Sequence, residues 1–257
     1  MIKLGMPQLF EFDTIEDNLK LAKELGLDFI ELNLNFGYCR KEMEAKTVKA
    51  LLDKYNIKAT LHFYDEADLG SYPEVVDAYL VLLERYCKLG EGYIESMNIH
   101  LCPGPVVTIS GVKNYIYEKE YGDYIKRFVS NLHRAEKICN DHGIRMVIEN
   151  TDNIPSMCKR TYKDLYDAGF KFCYDIGHDH LSYDLVQEVI KDIPLEFQEF
   201  HFHDGKDRKK CHLALGEGTI DLKKFKELTI KHDAWVNLEV KQASDLRVSV
   251  PYFRNLE

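Results

Sequence analysis

The chain has 257 residues, 45% of them hydrophobic and 30% charged. That balance excludes a disordered chain or a collagen-like fibre and leaves enough chain for a large core. The 34 Lys and Arg stand against 43 Asp and Glu, a formal net charge of -9. Proteins that coat nucleic-acid phosphates are usually basic, so this balance disfavours nucleic acid as a partner, although a local basic patch would still permit contact.

In chain order, short strand-like runs alternate with amphipathic helical stretches. The strands are expected at Ile2–Gly5, Phe29–Asn33, Lys58–Phe63, Ser96–Leu101, Arg145–Asn150, Lys171–Asp175, Glu199–His203 and Trp235–Val240. Between the first two, Asp13 is expected to cap a helix that stops at Gly26. Pro73 opens a helix ending at Gly90, a further helix ends at Gly143, and Asp221 caps the one after the seventh strand. Eight strands alternating with helices predict parallel βαβ units closed into a single-domain α/β (β/α)8 TIM barrel over residues 1–257. An open doubly wound sheet is the alternative. No Ser/Gly/Pro-rich linker or composition break divides the chain. The segment CPGPVVTISGVKN after the fourth strand reads as a loop over the barrel mouth, and GEG at Gly216–Gly218 as a turn into the next helix.

The seven cysteines form no CxxC pair. With an N-terminus that lacks the apolar core of a secretory leader, they suggest a reducing, cytoplasmic setting. No apolar run approaches the roughly 20 residues of a membrane span.

Active sites of such barrels lie at the C-terminal ends of the strands. From the third strand to the eighth, those ends carry His62, His100, Glu149, Asp175 with His178 after it, His201 with His203, and Glu239; His212 follows in the next loop. A lone histidine is ordinarily structural, and a lone glutamate ordinarily a solvated rim residue. Here six strands in succession place an imidazole or carboxylate at one end, and the period-two alternation turns Glu149, Asp175 and Glu239 inward. Unpaired carboxylates sharing one cavity repel, and a divalent cation removes the repulsion. Imidazole with carboxylate suits Zn, Mn, Fe or Co better than Ca, and Mg also takes carboxylates. Cys173 and Cys211 are read as buried residues rather than ligands. No GxGxxG, P-loop or GxSxG motif is present.

The segments VIENT, YDIGH, HFHD with CHLALGEGTID, and NLEVK resemble, in order and spacing, the xylose isomerase-like barrel superfamily, which holds sugar isomerases and epimerases and the endonuclease IV group. The resemblance to the sugar enzymes implies one metal on Glu149, Asp175, His201 and Glu239, with His178 touching substrate. The resemblance to the endonuclease branch implies further zinc ligands at His62, His100, His178 and His212. That branch has an Asp two residues before the last His, where this chain has Lys210, so an anionic ligand of the third zinc is replaced by a cation. YDIGHDH is closer to the isomerase branch. The resemblance thus implies a metal-dependent isomerase or epimerase acting on a ketose, sugar phosphate or keto-polyol, with Glu149 and Glu239 exchanging a proton. The alternative is a zinc-dependent phosphodiesterase acting on abasic DNA, and a non-catalytic metal- or sugar-binding barrel is the third class. Lys206, Arg208, Lys209 and Lys210 form a basic cluster in the loop after the seventh strand, either a solvated loop or, through Arg208 and Lys210, a handle for a substrate phosphate or carboxylate.

Overall fold

The computed structural model describes residues 2–151 and 154–256. Eight parallel strands, β1 (Leu4–Pro7), β2 (Phe29–Asn33), β3 (Lys58–His62), β4 (Ile94–Leu101), β5 (Arg145–Asn150), β6 (Phe172–Asp175), β7 (Phe197–Phe202) and β8 (Trp235–Leu238), lie side by side in chain order. β1 pairs with both β2 and β8, which closes the barrel. Helices pack around it, so the expected (β/α)8 single-domain architecture holds.

The strand alternation divides the side chains into two populations. Ile30, Leu32, Met97, Ile99, Ile148, Phe200, Phe202, Val236 and Leu238 face outward into the hydrophobic layer under the helices. Each such buried side chain contributes about 1.5–3 kcal/mol. The alternate positions point into the barrel and are unusually polar for a core: Glu31, Thr60, His62, Ser96, Asn98, Glu149, Asp175, Glu199, His201 and Asn237 are all buried. Phe29 and Trp235, with ring centroids 4.9 Å apart, close the floor. A Cβ on Gly5 would stand 2.5 Å from the Phe29 ring, so β1 carries no side chain there.

Several strand ends shift by one or two residues from the sequence expectation, and two segments differ in kind. The stretch after β4 is not an open loop: Val106–Ile109 and Val112–Tyr115 pair as an antiparallel hairpin, consistent with their β-branched residues and the left-handed Ser110-Gly111 turn. The first helix, Ile15–Glu24, is capped by Thr14, whose hydroxyl accepts the Asp17 N–H at 3.1 Å; Asp13 lies one residue too early. Asp221 caps Leu222–His232 as expected, accepting the Lys224 N–H at 3.2 Å. Among the described residues, no helix is long and apolar enough to cross a membrane.

Beyond β7 the chain forms a second hairpin, Asp204–Lys206 with Lys210–Leu213. Asp204, 1% exposed, anchors this region. Its carboxylate accepts backbone N–H groups from Gly205 (2.8 Å), Gly216 (3.0 Å), Gly218 (2.8 Å) and Ile220 (3.2 Å). The GEG segment therefore wraps a carboxylate on its way into the next helix, as its reading as a turn anticipated. Hydrogen bonds to a charged group are each worth roughly 1.5–3 kcal/mol. Asp204→Ala should lower the unfolding free energy by about 2–4 kcal/mol in urea titration, and Asp204→Asn, which keeps one acceptor, by less.

Candidate metal centre

β5 to β8 bring four side chains to one point. Glu149, Asp175 and His201 are wholly buried and Glu239 is 7% exposed. Their ligand atoms all lie within 4.8 Å of one another. The register explains the meeting: Asp175 stands beside His201, and His201 beside Asn237, two residues below Glu239. Nδ1 of His201 is 3.1 Å from Glu239 Oε2 and 3.3 Å from Glu149 Oε1, so the two glutamates face each other across one ring nitrogen. Asn150 fixes the height of Asp175 by exchanging two bonds with its backbone, 2.7 and 2.9 Å long.

The donor set fits a divalent cation. Glu149 Oε1 and Asp175 Oδ2 are buried with no hydrogen-bond partner, a costly state for acceptor oxygens unless a cation or donor meets them. Carboxylates and one imidazole suit Zn, Mn, Co or Mg. Burial raises the Glu149 pKa, but His201, His62 and His100 more than offset it and hold the carboxyl well below the usual range. Burial likewise raises that of Glu239, and Lys241 and His201 bring it well below the usual range. Cys173 stands beside Glu149 and His201, and burial pushes its thiol far up.

A second cluster shares Glu149. His62 and His100 point Nε2 at each other, 3.0 Å apart, with Glu149 Oε2 at 3.6 and 3.8 Å. The His62 Nδ1–H donates to the Phe63 carbonyl at 2.8 Å, so its Nε2 is bare in the neutral ring; burial opposes protonation, but Glu149 and Glu31 raise the His62 pKa to about 10.

His178 and His212 meet in a third cluster, and the residue that joins them is His203. Lys210 stays exposed on the hairpin. Nδ1 of His212 is 3.0 Å from the Glu239 carbonyl oxygen, and Nδ1 of His178 is 3.3 Å from that of Asn150. Each Nδ1 therefore donates, and each ring in its neutral form offers a bare Nε2; burial lowers the His178 pKa, but Asp175, Glu239 and Glu149 raise it overall. Burial lowers the His212 pKa to about 4, so that ring is neutral at pH 7. His203 accepts the His212 backbone N–H at 2.8 Å and sets its Nε2 3.1 Å from Asp175 Oδ1. Only a glycine fits at 177, because a Cβ there would lie 1.8 Å from the His203 ring.

Arg208 points elsewhere: its guanidinium donates to Asp184 and to the His180 carbonyl, both at 2.6 Å, and braces the hairpin. Sequence reasoning missed Lys241, whose ammonium pairs with Glu239 Oε1. It also missed Asn98, which donates to Glu149 Oε2. Lys241 had a readable signal, since it follows Glu239 by two residues and alternation puts both on one face.

A closed parallel barrel with its acidic and imidazole groups at the C-terminal strand ends defines the class as a TIM barrel with an enzyme-type mouth. The chain belongs to the xylose isomerase-like TIM barrel family, whose pattern matches residues 19–256. Comparison with curated proteins by sequence gives no match. Among solved structures, a D-tagatose 3-epimerase-like protein is similar at TM-score 0.75 and 19% identity, covering 99% of this chain and 97% of its own. The 3-keto-D-glucoside 4-epimerase from E. coli has TM-score 0.74 and 15% identity, covering 99% of both chains. The probable 3-DHS dehydratase involved in petrobactin synthesis from Bacillus anthracis has TM-score 0.75 and 15% identity, covering 100% of both. At these identities the likeness is one of fold.

Sharing of Glu149 makes metal retention diagnostic. After dialysis against Zn²⁺ or Mn²⁺ and elemental analysis, one ion per chain that is lost in Glu149→Gln and Asp175→Asn and kept in His100→Ala is the outcome expected for a cation on the four-residue cluster; a second ion lost in Glu149→Gln and His100→Ala would place another on the His62–His100 cluster.

Proposed function

We propose that the protein is a metal-dependent isomerase or epimerase that moves a proton beside the carbonyl of a ketose, sugar phosphate or keto-polyol. The observation that carries this reading is the pair Glu149 and Glu239, two buried carboxylates on opposite sides of His201 Nδ1. The sugar epimerases among the like folds support it. A divalent cation (Zn, Mn, Co or Mg) held by Glu149, Asp175, His201 and Glu239 would act as a Lewis acid, polarising the carbonyl and easing loss of the neighbouring proton.

The chain's own groups do the rest. One glutamate takes the proton from the carbon next to the carbonyl; the C–H electron pair passes into the enediolate. The other glutamate supplies a proton. Delivery to the opposite face of the same carbon gives the epimer, and delivery to the neighbouring carbon gives the isomer. Positioned acid–base groups of this kind contribute roughly 10²–10⁴-fold each. Lys241 holds Glu239 Oε1, so Oε2, beside His201 Nδ1, is the oxygen that works. The bare Nε2 atoms of His178 and His212 accept hydrogen bonds from substrate hydroxyls. Lys210, on the hairpin at the mouth, is the cation available to a substrate phosphate or carboxylate, while Arg208 keeps that hairpin in place.

The His62–His100–Glu149 cluster favours a second reading, a hydrolase that activates water for phosphodiester cleavage at an abasic site. The net charge of -9 and the cation at Lys210 weigh against it.

Two measurements separate the readings. In deuterated water with Mn²⁺ or Co²⁺, a panel of ketoses and keto-polyols should show deuterium entering C2 or C3 of at least one compound. The label should vanish with a chelator and in Glu149→Gln or Glu239→Gln; product without any deuterium would remove the two-glutamate mechanism. Zinc-loaded protein at low salt should leave abasic duplex DNA intact, and incision at tens of turnovers per second, a rate ordinary for an enzyme, would install the hydrolase instead.

A further inference from the structure

A second pair of carboxylates lies deeper in the barrel, and the proposed proton transfer does not use it. Glu31 on β2 and Glu199 on β7 are both 2% exposed. Each is satisfied on one oxygen only. Glu31 Oε2 accepts from the Asn237 amide at 2.7 Å, and Glu199 Oε2 from the Ser96 hydroxyl at 3.2 Å. Their other oxygens, both Oε1, have no well-aligned hydrogen-bond partner. Both face Nε2 of His201, Glu31 at 3.4 Å and Glu199 at 3.8 Å. His201 is therefore gripped from two sides, Nδ1 by the mouth carboxylates and Nε2 by the deep ones.

An imidazole that presents one nitrogen to a cation in its neutral form carries its proton on the other. A carboxylate on that second N–H fixes the tautomer and the ring orientation, and loss of such a partner typically weakens metal binding 10–100-fold. Asn98 also lies 3.5 Å from His201 Nε2 through its amide nitrogen, which donates one hydrogen to Glu149 and can offer the second to a bare Nε2, but which cannot accept the Nε2–H. The carboxylates are the acceptors in reach. A cation seated among Glu31, Glu199 and His201, whose ligand atoms lie within 4.8 Å, together with one on Nδ1 would leave the ring with both nitrogens bare, an imidazolate.

We propose that Glu31, seconded by Glu199, is a positioning residue. It accepts the His201 Nε2–H and so turns a bare Nδ1 toward the cation held at the barrel mouth. The closer approach makes Glu31 the principal partner, and the Asn237 amide on its other oxygen keeps the carboxylate from swinging away. This inference rests on the reading of Glu149, Asp175, His201 and Glu239 as metal ligands.

The test measures metal affinity rather than turnover. Chelator-stripped wild type, Glu31→Gln and Glu199→Gln are titrated with Zn²⁺ in competition with a chromophoric chelator, and the melting temperature of each stripped protein is recorded. Glu31→Gln should bind the ion of the four-residue site about 10–100-fold more weakly, with a melting temperature equal to or above that of the stripped wild type, since a half-satisfied buried charge has been removed. Glu199→Gln should show a smaller loss in the same direction. Should Glu31→Gln fail to fold, Glu31→Asp, which keeps the charge but shortens its reach, should show the loss of affinity, and an undiminished affinity there would overturn the proposal. Wild-type affinity in Glu31→Gln overturns it too, as does the loss of one whole ion per chain from both glutamine variants with the remaining affinity intact, because the deep pair would then be a metal site. A wild type that binds no Zn²⁺ tightly removes the metal reading and this inference together.

Discussion

Five carboxylates buried around a single imidazole set the terms for the rest of this molecule. Glu149, Asp175 and Glu239 at the mouth, and Glu31 and Glu199 below them, are each less than a tenth exposed and surround His201. Two unit charges 4 Å apart interact by about 4 kcal/mol at an effective dielectric constant of 20, so such a group needs compensation from every side. The compensation visible in the structure is His201 in the middle, Lys241 on Glu239, and amide or hydroxyl donors from Asn98, Asn237 and Ser96. The orphaned oxygens on Glu149, Asp175, Glu31 and Glu199 are the places where this internal compensation stops.

A barrel can hold these groups together because its strands are rigid and its outward face is largely apolar. The layer formed by Ile30, Ile99, Ile148, Phe200, Val236 and their neighbours stabilises the fold independently of what lies inside. The interior is thereby free to be polar. Strand register then converts neighbouring backbones into neighbouring ligands: Asp175 beside His201, and His100 beside Glu149. Contacts outside the strands refine this. Asp204 ties the GEG turn to the end of β7, and backbone carbonyls of Asn150 and Glu239 set the tautomers of His178 and His212. His178 and His212 are thus oriented by the main chain, while the groups on His201 Nε2 are side chains, Glu199 from its own strand and Glu31 from β2.

The same mouth carries features of two chemistries. Facing glutamates suit proton transfer, and paired imidazoles sharing Glu149 suit water activation. What distinguishes them physically is which atoms remain accessible once cations are in place. A site that commits Glu149 to two ions has little basicity left for carbon acids, whereas a site with one ion keeps it.

Much of this was legible from residue order. β2 and β5 run as the periodicity predicts, the helix Pro73–Gly90 begins and ends on its Pro and Gly signals, and alternation turns Glu149, Asp175 and Glu239 inward at the strand ends, while the family resemblance is what grouped them with His201. Those features are local: a two-residue repeat, a cap or a breaker acts within a few positions of itself. The first strand begins two residues later than expected, since barrel pairing with Phe29 and Val236, rather than local propensity, decides where β1 starts. The hairpin over the mouth, the path of Arg208 to Asp184, and the role of His203 in place of an anion beside His178 and His212 were decided by tertiary structure. So was the deep pair. Glu31 lies 170 residues from His201 in the chain, and nothing near it in sequence signals a partner. Closure of the barrel brings β2 opposite β7, and that long-range geometry selects which of many buried acidic residues meets the one imidazole that needs an acceptor.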